Sequence, residues 1–137
     1  IDLDMVNEMV DDFIDAGYDY FDTGYFYHGG MSEIAIRECV VKRYPRDKIK
    51  IVDKLPIFAL KKEEDMEKIF NKQLERCGVE YFDYYLLHNL GHFSYKGWND
   101  LDSFGFLSRL KEEGKARHIG FIECTAANAC YRLRNGY

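Results

Sequence analysis

Apolar residues along the chain follow two alternating rhythms. Val6, Met9, Val10, Phe13 and Ile14 recur at helical spacing from a start near Asp2 or Asp4, and Gly17 stands where a left-handed residue closes such a helix. The run Tyr20-Phe21-Asp22-Thr23-Gly24-Tyr25-Phe26-Tyr27 then reads as a buried strand leading into a loop, marked by Gly24 and the Gly29-Gly30 pair. Ser32 is placed to cap a second helix with Ala35, Ile36, Cys39 and Val40 inward, and Pro45 ends it. Ile49 to Lys54 is a second strand. Lys62 to Cys77 is a third helix carrying Met66, Ile69, Phe70, Leu74 and Cys77 on one face, with Gly78 closing it. Tyr84 to Leu87 is a third strand, ending on His88. A polar and aromatic loop over Asn89 to Asp100, holding the single tryptophan Trp98, is long enough to cover a site. Asp102 or Ser103 then caps a fourth helix with Phe106, Leu107 and Leu110 inward and Gly114 at its end, and Ala116 to Ile122 is the last clear strand. Ala126 to Arg134 has a poor helical pattern.

Strand and helix in alternation call for parallel pairing with right-handed crossovers. The expected fold class is therefore α/β, one domain over residues 1–137 with about four parallel strands and flanking helices. The chain's 137 residues fall well short of the roughly 250 that a closed (β/α)8 barrel takes. Asp22, Lys54 and His88 end three successive strands, which brings them together on the carboxyl-end face where ligands bind in parallel sheets. A carboxylate at the mouth of a buried strand is costly to desolvate without a partner, and Lys54 is the natural one for Asp22.

Composition narrows the function classes. A formal net charge of −5 comes from acids scattered along helical faces, with no basic cluster interleaved with aromatics, so nucleic acid is not an expected partner. No apolar run approaches the roughly 20 residues of a membrane span, and Asp2, Asp4 and Glu8 sit where a signal peptide needs basic and apolar residues. Cys39, Cys77, Cys124 and Cys130 form no CxxC pair and no metal-ligand spacing with the histidines, so free thiols in a cytoplasmic setting and no metal are expected. The first residue is Ile1, which fits either a processed start or a piece of a longer product.

Phe21-Asp22-Thr23 with Tyr27 five positions after the acid, Lys54 closing the next strand, and Leu86-Leu87-His88 closing the one after resemble the aldo-keto reductase family. Gly30-Met31-Ser32-Glu33, the stretch from Leu74 to His88, and Leu110 to Gly120 agree with it. The resemblance implies strands two to five of that family's barrel, hence a partial (half) TIM-type (β/α) barrel, and reduction of aldehyde or ketone carbonyls to alcohols. It implies Asp22, Tyr27, Lys54 and His88 as catalytic residues, with NADP(H) as the hydride source. Tyr84-Tyr85-Leu86-Leu87-His88-Asn89 is similar to bacterial members with a C-terminal iron–sulfur segment, whose cysteine motif does not occur here, so no cluster is expected.

Elementary chemistry is consistent with those roles. A tyrosine hydroxyl, ordinarily of pKa about 10, serves as a general acid when a close cation favours its anion. Lys54 is that cation for Tyr27, Asp22 holds the lysine, and His88 donates a hydrogen bond to the carbonyl. Bland readings stand beside these: a structural ion pair for Asp22 and Lys54, a backbone-bonded His88, a surface Tyr27. His28, His92 and His118 read as loop or surface residues, and Tyr81, Phe82, Tyr84 and Tyr85 as packing.

Departures from the family shape the remaining expectations. Where the family usually ends the last of these strands in a polar pair that binds the nicotinamide carboxamide, this chain has Ile122 and Glu123. A half barrel also leaves strands with unpaired backbone at both edges, a template for association, so a homo-oligomer, most simply a homodimer, is expected. A non-catalytic interaction module or gene remnant is the alternative reading.

Overall fold

The computed structural model describes residues 1–89 and 100–122. Most of the Asn89 to Asp100 loop with His92 and Trp98, and the segment holding Glu123, Cys124, Cys130 and the expected helix from Ala126 to Arg134, lie outside the described residues.

Helix α1, Leu3–Asp15, starts where Asp2 caps it, its carboxylate accepting from the backbone N–H of Asp4 (3.1 Å) and Met5 (3.2 Å), and stops before left-handed Gly17. Strand β1 is Tyr20–Asp22. After a tight turn over Tyr27–Gly30, helix α2, Met31–Ala35, continues into a π-helical turn over Ile36–Val41. Ser32 does not cap α2: left-handed Gly30 (φ +90°) already turns the chain, so the helix begins one residue before Ser32. The Ser32 hydroxyl instead meets the Thr23 hydroxyl at 2.8 Å, which pins α2 to the end of β1.

Strand β2, Lys50–Leu55, leads to helix α3, Glu64–Cys77, closed by left-handed Gly78. α3 begins two residues later than the apolar pattern implies, and Asp65 in its first turn reaches back to accept from the backbone N–H of Lys61 (3.1 Å) and Lys62 (3.3 Å). Strand β3, Phe82–Leu87, helix α4, Ser103–Glu112, and strand β4, Ala116–Phe121, complete the described chain. Asp102 is the cap of α4, accepting from the Gly105 N–H at 3.0 Å.

The four strands form one sheet in the order β1-β2-β3-β4, every pair parallel. Its helix-covered face is the core, where Phe21, Ile51, Leu55, Tyr85 and Leu87 meet Val10 of α1, Met66, Phe70 and Cys77 of α3, and Phe106, Leu107 and Leu110 of α4. Phe70 is fully buried and packs edge-on against Tyr85, with ring centroids 4.9 Å apart, and against Phe82 and Phe106. The opposite face carries an aromatic row across three strands, Tyr20 beside Tyr84 (5.4 Å) and Tyr84 stacked on His118 (4.8 Å). Tyr20 and His118 are exposed there. Only part of the apolar stripe of α1 is covered: Val10 is buried, whereas Met5 and Met9 are exposed, since β1 has a strand neighbour on one side only among the described residues.

Candidate active site

The site grows from the carboxyl ends of β1, β2 and β3. Beyond Asp22 the backbone stays in register, because the Thr23 N–H donates to the Val52 carbonyl (2.9 Å) and the His88 N–H to the Leu55 carbonyl (2.9 Å). Alternation along β2 sends Asp53 and Lys54 to opposite faces, so Lys54 emerges on the side of Asp22 while Asp53 enters the helix layer. The Lys54 ammonium is buried at 1% exposure, pairs with Asp22 Oδ1 and donates to the Thr23 carbonyl at 2.7 Å. Asp22 is 44% exposed, so this pair has one dry end and one wet end.

Tyr27 is delivered by a turn in which its N–H donates to the Gly24 carbonyl at 2.9 Å. Its ring lies directly over Gly24, where an added Cβ would stand 3.0 Å from Tyr27 Cζ. Glycine at 24 is what lets the ring settle. Lys54 Nζ stands 4.9 Å from the Tyr27 ring centroid, and Tyr27 Oη is 3.4 Å from His88 Nε2. Burial holds the His88 imidazole below the usual histidine pKa, the Lys54 charge adds to this, and Asp22 offsets part of it. His88 is therefore neutral at pH 7. Because the unfolded chain takes up its proton first as pH falls below about 6.5, this group contributes stability above that range and loses it as pH drops towards the lowered folded value.

The structure thus brings together all four residues read from the sequence: Asp22, Tyr27, Lys54 and His88. His28 is exposed on the turn, in a left-handed conformation (φ 51°). Phe26 and Phe58, 5.7 Å apart and both about half exposed, form an aromatic rim, with Phe58 6.0 Å from His88.

Beneath the site lies a polar layer that the apolar periodicity does not mark. Glu33 of α2, Asp53 of β2 and Gln73 of α3 are fully buried. Asp53 accepts from the Lys54 N–H (2.7 Å), Gln73 donates to the Lys54 carbonyl (3.0 Å) and accepts from the Tyr85 hydroxyl (2.6 Å), and Arg76 pairs with Glu33 (2.9 Å). Burial first, and the neighbouring Glu33 charge second, push the Asp53 carboxyl well above the usual carboxylate range. Two signals were available. Asp53 stands next to Lys54 in an otherwise apolar strand, and Gln73 shares the inward face of α3 with Met66, Phe70 and Cys77.

A model of the aldo/keto reductase family matches residues 1–135. The chain belongs to the aldo/keto reductase family. An aldo-keto reductase of Mycolicibacterium smegmatis is 34% identical over 109 residues, an alignment covering 78% of this chain and 36% of that protein. A 9,11-endoperoxide prostaglandin H2 reductase of Trypanosoma cruzi is 33% identical over 112 residues, covering 78% of this chain and 35% of its own length. The chain therefore spans about a third of the curated relatives it matches. Among solved structures, an aldo-keto reductase of Klebsiella pneumoniae in complex with NADPH superposes with a TM-score of 0.69 at 27% identity, over 88% of this chain and 40% of that one. One from Bacillus halodurans gives 0.77 at 20% identity, over 97% and 46%. The four parallel strands and their helices are a partial (β/α) barrel of this family's kind.

One described position bears on a nicotinamide cofactor. At the end of β4, where the family resemblance places a carboxamide-binding pair, the Ile122 side chain is 39% exposed and has no polar atom, so it does not fit that group. Among the described residues no three histidine, cysteine, aspartate or glutamate side chains are grouped to hold a metal, and no helix is long and apolar enough to cross a membrane.

Proposed function

We propose that the chain carries the proton-donating half of an NADP(H)-dependent reductase acting on aldehyde or ketone carbonyls. The observation that carries this reading is the approach of Tyr27 Oη to His88 Nε2 at 3.4 Å with the buried Lys54 ammonium against the tyrosine ring. A carbonyl oxygen lying between Oη and Nε2 would accept from both. Were a hydride delivered to its carbon, the electron pair would pass to the oxygen and Tyr27 would give up the hydroxyl proton to it. The charge left on Oη would be balanced by Lys54, itself held by Asp22 and the Thr23 carbonyl. NADP(H), by family resemblance, would supply the hydride. The remainder of its groove would come from beyond the described residues or from another chain. The exposed rim of Phe26 and Phe58 favours substrates with an apolar or aromatic group beside the carbonyl.

Self-association belongs to this reading. Strands β1 and β4 each have one side without a strand partner among the described residues, and the aromatic row on the open face stands ready to be covered. A homodimer, in a cytoplasmic setting where the buried Cys39 and Cys77 stay free thiols, is the simplest arrangement. The test combines light scattering with carbonyl-dependent NADPH oxidation. Tyr27→Phe should abolish oxidation and leave the dimer intact. A monodisperse monomer contradicts the association, and oxidation that survives in Tyr27→Phe contradicts the assigned proton donor. Ile122 favours a second reading, a non-catalytic module that keeps the cluster through ancestry. On that reading neither protein oxidises NADPH.

A further inference from the structure

The turn that carries Tyr27 has little regular structure to hold it. His28, Gly29 and Gly30 all have positive φ (51°, 66° and 90°), so no helix or strand ladder fixes the segment, and Tyr27 is only partly buried. Beneath it lies Arg76 of α3. The guanidinium donates to the Tyr25 carbonyl (3.4 Å), covers the Tyr25 ring at 4.7 Å and pairs with buried Glu33 at 2.9 Å. Its fit under the turn is close: a Cβ on Gly30 would stand 2.9 Å from Arg76 Nη1. Arg76 therefore touches the turn at Tyr25 and at Gly30, two and three residues to either side of Tyr27.

One helical turn earlier on the same face, Gln73 holds the backbone of Lys54 through its carbonyl, and buried Asp53 accepts from the Lys54 N–H. Two residues of one helix thus reach the proton donor's turn and the backbone of the lysine opposite it. We infer that Arg76 is a positioning residue for Tyr27, setting its hydroxyl against His88 by underpinning the Tyr25–Gly30 turn from α3. A planar guanidinium can serve Glu33, the Tyr25 carbonyl and the Tyr25 ring together, whereas a lysine ammonium keeps the charge without the fork or the stacking plane.

This inference rests on Tyr27 being the proton donor of the proposed site, but its test needs neither cofactor nor turnover. In protein labelled at tyrosine and histidine, the nuclear Overhauser cross-peak between the Tyr27 and His88 rings reports the approach directly, and the Tyr20–Tyr84 contact on the open face serves as an internal reference. Arg76→Lys preserves the partner of Glu33. The double variant Arg76→Met, Glu33→Met removes both charges together, so that no buried carboxylate is left alone if the single variant fails to fold. The expected result is loss of the Tyr27–His88 cross-peak in a folded variant that retains the Tyr20–Tyr84 one. A wild-type Tyr27–His88 cross-peak in a folded variant overturns the inference, as does loss of both cross-peaks together, which would mark Arg76 as a general structural residue. A chain that never oxidises NADPH yet loses only the Tyr27–His88 cross-peak would separate failure of the proposed activity from failure of the brace.

Discussion

Lys54→Met is expected to lower carbonyl reduction by about 10²–10⁴-fold, the usual weight of a positioned proton donor and its supporting charge, while changing stability by no more than about 1–2 kcal/mol. The two effects separate because of where the pair sits. Methionine removes a buried ammonium whose desolvation was a standing cost, and the carboxylate it abandons, Asp22, is already 44% exposed and can be hydrated. The loss on the other side is the hydrogen bond to the Thr23 carbonyl. Asp22→Asn should show the opposite balance, costing about 1–3 kcal/mol because a buried ammonium loses its charged acceptor, with a smaller loss of reduction because Lys54 remains. Urea unfolding and initial rates on the two variants read this directly. A Lys54→Met variant less stable than Asp22→Asn would show that the lysine is retained for the fold and not for the chemistry.

Phe70→Ala should cost about 3–5 kcal/mol, a large share of the roughly 5–15 kcal/mol that holds a typical domain folded. Phe70 is fully buried at the point where α3 meets β3 and α4, with Phe82, Tyr85 and Phe106 all edge-on to its ring. Truncation therefore opens a cavity between rigid rings that have little room to collapse into it. Phe70→Leu, which keeps most of the volume, should cost less than half as much. Urea midpoints check both, and a Phe70→Ala loss below about 1 kcal/mol would mean that the core repacks far more freely than close-packed rings permit.

Phe70 also marks how far the sequence could be read. Helical spacing placed it inward with Met66 and Cys77, because a consistently apolar stripe has one physical interpretation, and all three are buried. The same alternation of helix and strand led to the parallel sheet, and a polar residue at the end of each of three strands led to Asp22, Lys54 and His88. Gln73 lies on the same stripe as Phe70 but is polar. Its burial depends on partners from β2 and β3, the Lys54 carbonyl and the Tyr85 hydroxyl, which no local pattern announces. Asp53 is hidden for a related reason, since its burial in the helix layer depends on neighbours that raise its carboxyl's pKa and not on any local pattern. Ser32 has the chemistry of a cap, but left-handed Gly30 sets the start of α2 one residue before it. Met9 matched the periodicity of α1 and is nevertheless exposed, because helical spacing records which face is apolar and not whether a neighbour covers it.

Whether Asp22, Tyr27, Lys54 and His88 form one half of a working reductase site is tested most directly by a titration of the purified chain with NADPH, by calorimetry and tyrosine fluorescence. Saturable binding in the micromolar range, followed by oxidation of the bound NADPH when an aromatic aldehyde is added, is the predicted result. The absence of saturable binding at every protein concentration, with the chain folded, would contradict that assignment and leave the cluster with no hydride to work beside.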